Sequence, residues 1–469
     1  MTEKTPSLIN IPIDANPIEK TLVNTPETPE TNDSVEDEDV DPNAESAVLN
    51  SGAFGCMFFP GIRCDGTLEN KDYITKIQKK THVTDNEIYI SRRIRKKIRG
   101  YRNFFAPISK QCRVKMTKKY ANDIRKCTLF QKDKEIEHEQ FVSNKIRYLG
   151  NETVKTYLFN IASGKVDPTQ PHIQPMGELF WDAVVRTHIR LLMGVHLLLD
   201  ANIIHMDLKY GNIMMEPHTK QPIIIDFGIS IDQKALTKST TENNISEQLV
   251  DSVSSSSITT PRNAFYIYDT YTAWCFDIFL CNYIVQVVGT RGLQYSHRND
   301  ESTKISANQD PLETVPTKDE LESIMEEFQY GPKHKYIQQD KTRNDIFTTT
   351  LIANPVIEQF REKTIASLTN QTWKEIYHEC IHATYKTWDN YSIAAMYLGI
   401  VDILKYSNQD AFEQIETVRA TSGKPFLEEY LHIIESVVYD VPFNRAGVKD
   451  TMTRLVRLQY SRRNEGRVS

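Results

Sequence analysis

The chain lacks the cysteine patterns that are typical of metal sites and disulfide frameworks. Its 469 residues include seven cysteines, and no two of them form a C-x-x-C pair. The odd count also argues against a framework in which every cysteine is paired. We therefore predict reduced cysteines and a reducing compartment, the cytoplasm.

Signals for secretion and membrane insertion are also missing. No basic stretch followed by an apolar core opens the chain, which begins MTEKTPSLINIPIDANPIEK. The most apolar stretch, 189–199, is short and contains Arg190 and His196. With 25% charged residues and a formal net charge of −6, the composition is that of a soluble globular protein and favours no polyanionic partner. We expect neither a membrane nor nucleic acid among its partners.

Positive charge is absent between Lys20 and Arg63, where Asp and Glu accumulate among Pro, Thr and Asn. Such a segment buries too little apolar surface to offset its conformational entropy, so we predict a disordered acidic tail over residues 1–46. The segment 92–99, in contrast, is dominated by Lys and Arg. Its simplest interpretation is a solvated helix face, and the alternatives are a docking face for phosphate groups, the acidic tail or nucleic acid.

The periodicity of apolar residues changes along the chain from strand-like to helical. Short β-like runs predict a small antiparallel sheet, and they cover 47–49, 56–59, 73–77, 141–149 and 154–159. Helical spacing predicts buried helices, which cover 177–199, 373–387, 391–406, 427–438 and 448–458. Two polar stretches, 239–260 and 296–345, lack apolar periodicity and predict long loops or inserts.

One motif combines the residue types that phosphoryl transfer requires. Residues 205–212 read HMDLKYGN, and a DFG triplet follows the apolar strand 223–225. The reaction needs a carboxylate that orients the substrate hydroxyl, a cation that neutralises phosphoryl oxygens, and two side chains that hold Mg²⁺. A lone DFG triplet is weak, but the joint spacing makes a chance match a poor explanation. The four groups are Asp207, Lys209, Asn212 and Asp226.

Upstream, the segment 49–57 resembles a glycine-rich phosphate loop. It reads LNSGAFGCM, in which Gly52 and Gly55 let the backbone approach phosphate without an intervening Cβ. Asn50 replaces the first glycine of the usual pattern. The alternative for this segment alone is an ordinary hairpin turn.

Lys76 lies on a predicted strand and resembles the lysine that binds the α- and β-phosphates of ATP. An ordinary surface lysine is the alternative, since Lys79 and Lys80 are close by. Glu87 resembles the ion-pair partner of that lysine, although the separation from Lys76 is short.

Together these motifs resemble those of eukaryotic-type Ser/Thr protein kinases over about residues 47–290. The segments DNEIYISRRIRKKIRGYRNFFAPI, HMDLKYGNIM and YDTYTAWCFDIFL are similar to the divergent kinases encoded by large nucleocytoplasmic DNA viruses. The resemblance implies an α+β, bilobal protein-kinase-like fold with a small β-rich N-lobe and a larger, mainly helical C-lobe. The implied boundaries are 47–160 for the N-lobe, 161–460 for the C-lobe with inserts near 231–260 and 296–345, and 461–469 for a tail.

The resemblance also implies the cofactors, ATP and Mg²⁺, and a protein substrate with a Ser or Thr acceptor. In this pattern Asp207 and Lys209 are catalytic, and Asn212 and Asp226 hold Mg²⁺. The implied nucleotide site consists of Asn50, Gly52, Phe54, Gly55, Met57, Ile74, Lys76, Glu87 and Met214.

Several residues depart from the kinase pattern. Met206 stands where regulated kinases have an Arg that binds an activation-loop phosphate, so we expect activity without loop phosphorylation. Ile74 replaces a small residue next to adenine, and Ser91 replaces an apolar residue of the packed column between the lobes. Asp269 resembles the buried Asp that braces the catalytic loop. Without the usual Ala-Pro-Glu, Arg445 lacks its familiar partner.

Three functions remain open at this point. An active Ser/Thr kinase is the leading hypothesis, because every group needed for the chemistry is retained. A pseudokinase scaffold is the first alternative, motivated by Asn50, Ile74 and Ser91. A kinase-like phosphotransferase for small molecules is the second, motivated by the missing Ala-Pro-Glu and the long inserts. The oligomeric state has no signal in the sequence.

Overall fold

The structure, a computed structural model, contains a β-sheet region followed by a helical region. It describes residues 47–52, 55–65, 67–114, 141–165, 175–234, 274–288, 310–330 and 345–463. The predicted acidic tail over 1–46, Phe54, Asp269 and most of the predicted insert near 231–260 lie outside these ranges. All described residues belong to one compact unit, Asn43–Ser469.

The sheet region is antiparallel and has five strands. They are β1 (Ala47–Gly52), β2 (Gly55–Phe59), β3 (Tyr73–Lys79), β4 (Lys110–Val114) and β5 (Phe141–Arg147). The strand order is β1-β2-β3-β5-β4, so β3 lies at the centre of the sheet. Four of the predicted β-like runs overlap β1, β2, β3 and β5, and the prediction of a small antiparallel sheet is confirmed.

The β1–β2 hairpin closes on two glycines. Gly52 pairs with Gly55, and a Cβ on Gly55 would lie 2.6 Å from the Ile77 carbonyl oxygen and 2.8 Å from Gln78 Cβ. Real Cβ atoms do not approach other atoms so closely, so β3 leaves no room for a side chain at this position. The packing of the hairpin on β3 is therefore a second reason for Gly55, besides access to phosphate.

A disulfide bond joins two distant parts of the sheet region. Cys64, which follows β2, is bonded to Cys112 on the edge strand β4, with their Cα atoms 5.9 Å apart across 48 residues of sequence. Cys56 is disulfide-bonded as well. The prediction of reduced cysteines was therefore wrong for these three residues, because pairing depends on which strands lie side by side and not on local spacing. The remaining described cysteines, Cys275, Cys281 and Cys380, are free and buried.

Helices account for most of the chain after the sheet. They are α1 (His82–Lys97), α2 (Val154–Ala162), α3 (Met176–Asp200), α4 (Phe276–Tyr283), α5 (Lys318–Tyr330), α6 (Asn354–Leu368), α7 (Trp373–Glu379), α8 (Tyr385–Ser407), α9 (Gln409–Glu416), α10 (Phe426–Val438) and α11 (Val448–Arg463). Short strands form two small two-stranded sheets, namely β6 (Ile203–Ile204) with β9 (Ile231–Asp232) and β7 (Ile213–Met215) with β8 (Pro222–Ile224). Within the described ranges, no helix is both long and apolar enough to cross a membrane.

The long helices agree with the predicted periodicity, but the prediction of a strand over 154–159 was wrong. The run 154–159 is helix α2 and not a strand, because Val154, Leu158 and Ile161 share one buried helix face. Thr153 caps this helix by accepting a hydrogen bond from the Thr156 backbone N–H at 3.2 Å. The polar stretch 296–345 contains helix α5, so it is not a continuous loop. The implied lobe boundary at residue 160 falls inside α2, which packs on α3.

Helix α3 lies at the centre of the helical region, where α2, α8, α9 and α11 pack against it. The Trp181 indole N–H donates to the Ile415 carbonyl at 3.1 Å, which fixes α9 on α3. His188 stacks on Tyr397 of α8 and is hydrogen-bonded to the Tyr430 hydroxyl at 2.9 Å. Burial lowers the pKa of His188 to about 3, so this histidine is neutral at physiological pH.

A fully buried ion pair joins α4 to the segment before α11. Arg445 Nη2 lies 2.8 Å from Asp277 Oδ1, and neither side chain is exposed. Asp277 Oδ2 also accepts hydrogen bonds from Thr384 and Trp388, each at 2.6 Å. Burial would raise the pKa of Asp277, but the Arg445 guanidinium outweighs it and the pKa is lowered. Arg445 was expected to lack the Glu of the usual Ala-Pro-Glu, and in the structure Asp277 is its carboxylate partner.

We predict that Arg445→Met lowers the free energy of unfolding by about 3–5 kcal/mol, because the Asp277 carboxylate would remain buried without its counter-charge. Urea denaturation followed by circular dichroism measures this change. Arg457→Met, on the exposed face of α11, is the matched control and should change stability by less than about 0.5 kcal/mol. Equal effects of the two substitutions would contradict the role of the ion pair.

Candidate active site

Three charged side chains from different parts of the chain meet beside the sheet. Lys76 Nζ on β3 lies 3.3 Å from Glu87 Oε2 on α1 and 3.1 Å from Asp226 Oδ1, in the segment after β8. Only Lys80 and Thr81 separate β3 from α1, which is why a short sequence separation still allows the Lys76–Glu87 pair. The structure thus brings together three of the predicted site residues.

The register of β3 distinguishes Lys76 from the neighbouring lysines. Lys76 pairs with Met57 on β2 and with Asn144 on β5, and it is buried, whereas Lys80 is exposed beyond the strand. Gln78, two residues later, projects from the same face of β3 and donates from Nε2 to Glu87 Oε2 at 3.1 Å. Sequence reasoning missed Gln78, although its spacing of two from Lys76 was the available signal.

Burial and the neighbouring charges shift the pKa values of these three side chains in opposite directions. Burial alone would lower the pKa of Lys76, but the carboxylates of Asp226 and Glu87 outweigh it and raise the pKa, so the amine is protonated. Burial would raise the pKa of Asp226, but Lys76 lowers it. For Glu87 burial is the largest influence and the pKa is raised. With both carboxylates ionised, one amine faces two negative charges, and the trio favours an additional cation.

The catalytic loop predicted from HMDLKYGN forms a compact polar cluster. Asn212 Nδ2 donates to Asp207 Oδ2 at 2.8 Å and to the Asp207 backbone oxygen at 2.9 Å. Lys209 Nζ lies 2.9 Å from Asp207 Oδ1. Burial raises the pKa of Asp207 to about 6, although Lys209 acts in the opposite direction. Because the Asn212 amide nitrogen faces Asp207, its amide oxygen faces away from that carboxylate.

A histidine connects this loop to the residue before Asp226. His205 Nδ1 accepts from the Asp207 backbone N–H at 3.2 Å, and Nε2 lies 3.1 Å from the Ile225 carbonyl oxygen. This pattern requires the neutral ring with its proton on Nε2. Burial lowers the pKa of His205 to about 4, which agrees with a neutral ring. The ring therefore spans the two loops that carry Asp207 and Asp226.

Asp389 on α8 braces the catalytic loop from the helical region. Its carboxylate accepts hydrogen bonds from the backbone N–H groups of His205 at 2.7 Å and Met206 at 3.0 Å. The sequence predicted this role for Asp269, which lies outside the described residues, whereas Asp389 makes these contacts. Asp389 lies 184 residues from His205, so local spacing did not indicate it.

Two residues of the site have left-handed backbone conformations. Met206 has φ 68° and Asp226 has φ 62°, which for residues with a side chain costs about 1–2 kcal/mol each. The Asp389 carboxylate and the Trp274 indole, which donates to the Met206 carbonyl at 2.7 Å, hold the first of these. Such strain persists only where surrounding contacts impose it, and it is concentrated at functional sites.

Three of the apolar residues predicted for the nucleotide site, Met57, Ile74 and Met214, lie in one cluster. Ile74 is buried there with Ile146 and Ile223, and Met57 and Met214 pack against them while remaining partly exposed. This cluster joins the sheet to the β7–β8 hairpin. The backbone register places the predicted residue Asn50 opposite Met57, and Gly52 and Gly55 at the hairpin end.

Ser91 fits its buried position through a hydrogen bond. Its hydroxyl accepts from the Ile108 backbone N–H at 3.1 Å, so a polar residue is satisfied where an apolar one was expected. The Phe227 ring lies 4.9 Å from the His205 ring and 6.2 Å from the Phe105 ring, between centroids. The rings of Phe105, Phe227 and His205 thus pack in series.

The donor set fits Mg²⁺ bound together with phosphate. The Asp226 carboxylate and the Asn212 amide oxygen are hard oxygen ligands, as this ion prefers. Within the described residues, no group of three or more His, Cys, Asp and Glu side chains forms a metal site by itself. One or two protein oxygens with phosphate and water are the usual ligands of Mg²⁺ in nucleotide sites.

Comparisons with known proteins are partial. No family model and no curated protein matches the chain. The solved structures that match in part include the BubR1 kinase domain, with 17% identity and a TM-score of 0.27 over 40% of this chain and 46% of that one. Another is a homologue of Stt7 from Micromonas algae, soaked with ATP, with 15% identity and a TM-score of 0.27 over 41% of this chain and 53% of that one. The chain thus spans about half the length of each. At these scores, the functional assignment depends on the geometry of the site alone.

We predict that Asp207→Asn stabilises the fold at neutral pH but not at acid pH. The folded carboxyl has a pKa of about 6 against 3.8 in the unfolded chain, so its ionisation opposes folding as the pH rises between these values. The stability advantage of the variant should grow by about 2–3 kcal/mol from pH 4 to pH 7. Urea denaturation of both proteins across this range measures it, and a constant difference would contradict the raised pKa.

Proposed function

We propose that the chain is a Ser/Thr protein kinase, which transfers the γ-phosphate of MgATP to a protein hydroxyl. The observation that carries the proposal is the joint arrangement of two clusters. Lys76 is bound to Glu87 and Asp226, while Asn212 and Lys209 are both bound to Asp207. Phosphoryl transfer requires this combination of a phosphate-binding cation, oxygen ligands for a metal, a hydroxyl-orienting carboxylate and a second cation.

Nucleotide binding in this proposal uses the β-sheet side of the site. The hairpin end at Gly52 and Gly55 covers the phosphates, and the apolar cluster around Ile74 receives the adenine ring. Lys76 contacts the α- and β-phosphates, and Glu87 keeps its amine in place with help from Gln78.

Metal binding uses Asp226 and Asn212, whose oxygens would hold Mg²⁺ against the phosphates. When bound, the metal neutralises the negative charge of the β- and γ-phosphate oxygens. Asn212 also holds Asp207 through its amide nitrogen, so one side chain aligns both the metal ligand set and the base.

The transfer step uses the catalytic loop. Asp207 Oδ2 accepts from Asn212, so Oδ1 is the atom that takes the proton of the acceptor hydroxyl as its oxygen bonds to the γ-phosphorus. The bond between that phosphorus and the ADP oxygen breaks, and ADP leaves. Lys209, beside Oδ1, stabilises charge on the phosphoryl oxygens and favours Ser or Thr over Tyr as the acceptor.

We predict that Asp207→Asn and Asp226→Asn each abolish phosphoryl transfer and that only Asp226→Asn greatly weakens Mg²⁺-dependent nucleotide binding. The metal ligand acts in both the ground state and the transition state, whereas the base acts mainly in the catalytic step. Radiolabelled ATP with a generic basic protein acceptor measures transfer, and isothermal titration calorimetry measures binding.

The acceptor distinguishes the alternatives in the same assay. Transfer to a panel of small metabolites but not to protein would favour a small-molecule phosphotransferase. Nucleotide binding without any transfer would favour a pseudokinase. Equal loss of MgATP affinity in both variants would overturn the separate roles of Asp207 and Asp226.

We predict that Lys76→Met lowers kcat/KM by about two orders of magnitude or more, because it removes one preorganised charge contact to the phosphates. Lys80→Met is the matched control, since Lys80 is exposed beyond the end of β3. Steady-state kinetics of both variants measures the effect. Full activity of Lys76→Met, with loss in Lys80→Met, would show that the assigned lysine is wrong.

A further inference from the structure

Helix α1, which carries Glu87, is bound along one face to the segment that follows Asp226. Asn86 Nδ2 donates to the backbone oxygens of Gly228 at 3.0 Å and Ser230 at 2.8 Å. Asn86, Tyr89 and Arg93 are spaced by three and four residues, so they lie on the same side of the helix. Side-chain contacts therefore connect α1 directly to the Asp226 segment.

The contacts of Tyr89 and Arg93 converge on one carboxylate. The Tyr89 hydroxyl donates to Asp232 Oδ2 at 2.7 Å, and Arg93 forms an ion pair with the same carboxylate. Arg93 Nη2 also donates to the Ala201 carbonyl oxygen at 2.9 Å. We refer to Tyr89, Arg93, Asp232 and the Ala201 carbonyl as the Arg93 cluster.

The ion pair of the Arg93 cluster is largely shielded from solvent, whereas Tyr89 is exposed. The side chains of Arg93 and Asp232 are 13% and 9% exposed, so water and salt screen this pair far less than a surface pair. The neighbouring basic residues Arg92, Lys96 and Lys97 are exposed. The predicted solvated face therefore describes these three residues but not Arg93.

The residues that Arg93 contacts come from the chain before and after the catalytic loop. Asp232 on β9 pairs with Ile203 on β6, and β6 leads directly into His205. Ala201 directly follows α3 and precedes the same short strand. Ser230 Oγ donates to the His205 carbonyl at 3.0 Å and joins the two strands next to the loop. One guanidinium thus connects the helix of Glu87 to the Ala201 backbone before Asp207 and to the Asp232 side chain after it.

We propose that Arg93, Tyr89 and Asp232 are positioning residues that hold α1 where Glu87 meets Lys76. In this arrangement the Asp232 carboxylate replaces a loop phosphate as the partner of an arginine. The inference rests on the proposed kinase function and deepens it. Regulated kinases order this part of the site when an arginine binds a phosphorylated loop residue. Here Met206 is a neutral thioether, and Asp232 already provides a negative charge to Arg93 on α1.

An alternative to this proposal is that the Lys and Arg residues of 92–99 bind a phosphate group on a loop. The two ideas differ in what Arg93 binds before phosphorylation. In the structure its partner is the carboxylate of Asp232, six residues after Asp226, and no modified residue is needed. Activity independent of loop phosphorylation follows from this pairing.

The test uses the full chain with the substitutions Arg93→Gln, Asp232→Asn and Tyr89→Phe. Arg92→Gln, one position along the same helix and exposed, is the matched control. We expect Arg93→Gln and Asp232→Asn each to lower kcat about tenfold, while KM for the protein acceptor stays unchanged. The double variant should lose no more than about a further factor of two, because both changes break the same contact. Arg93→Lys, which keeps the charge, should recover part of the activity.

A second readout does not depend on catalysis. Amide hydrogen exchange of residues 82–97 should be faster in Arg93→Gln than in the unmodified chain, by a larger factor than in the rest of the unit. Tyr89→Phe removes only a hydroxyl from a partly exposed ring, so it keeps the test valid if the other variants fold poorly. Failure of the unmodified chain to transfer phosphate would contradict the proposed kinase, whereas the exchange result still tests the positioning role.

Two results would overturn the inference. One is unchanged exchange in α1 together with kcat values equal to those of Arg92→Gln. The other is a loss of tenfold or more when the unmodified chain is treated with phosphatase, which would favour the rival in which α1 binds a loop phosphate.

Discussion

The buried Lys76 amine, placed between Glu87 and Asp226, is the interaction on which the rest of the site depends. Lys76 and Glu87 are buried and Asp226 is partly exposed, and burial of an unpaired charge costs several kcal/mol, so the two buried charges depend on their partners. Together they fix the distance between β3, α1 and the segment after β8. A shift of α1 away from β3 would leave the lysine with one carboxylate and would also separate Glu87 from Gln78, which lies on the same strand as Lys76. The ion pairs of Lys76 therefore require α1 to stay in one position. The Arg93 cluster holds the helix in that position further along its length.

The helical region supplies the fixed side of the same site. Asp389 accepts two backbone N–H groups and imposes a left-handed conformation at Met206, next to Asp207. Burial raises the pKa of Asp207, which makes the carboxylate a stronger base and also makes its ionised form costly to the fold. The left-handed backbone at Met206 and the buried charge of Asp207 thus lower the stability of the fold, and packing elsewhere must offset this cost. The buried pair of Arg445 and Asp277 is one of the contacts that hold α4 against the segment before α11.

The sequence was informative where chemistry requires residues at short, fixed spacing. Asp207, Lys209 and Asn212 lie on one loop, so the spacing alone brought them together in the structure. Lys76 and Glu87 followed from their resemblance to the kinase pattern, Lys76 on a predicted strand and Glu87 at the start of the next helix. The structure leaves Phe54 outside the described residues, and the catalytic roles of all these residues remain proposals.

Contacts between distant segments could not be predicted in this way. Asp389 lies 184 residues from His205, and the Cys64–Cys112 bond depends on the neighbours of an edge strand. The sequence analysis gave no role to Asp277, because its pairing with Arg445 depends on segments 168 residues apart. Helix α2 was assigned as a strand because its β-branched and aromatic residues suit either structure, and only the cap at Thr153 and the packing on α3 decide between them.

The central claim is that these residues move a phosphoryl group from ATP to a protein hydroxyl. Phosphorus-31 NMR of the purified chain with MgATP and a protein acceptor tests it most directly, because the spectrum follows the γ-phosphorus itself. The account predicts that the γ-phosphate signal decreases while ADP and a phosphomonoester on the acceptor increase in equal amounts. An unchanged ATP spectrum, or inorganic phosphate as the only new product beside ADP, would contradict it.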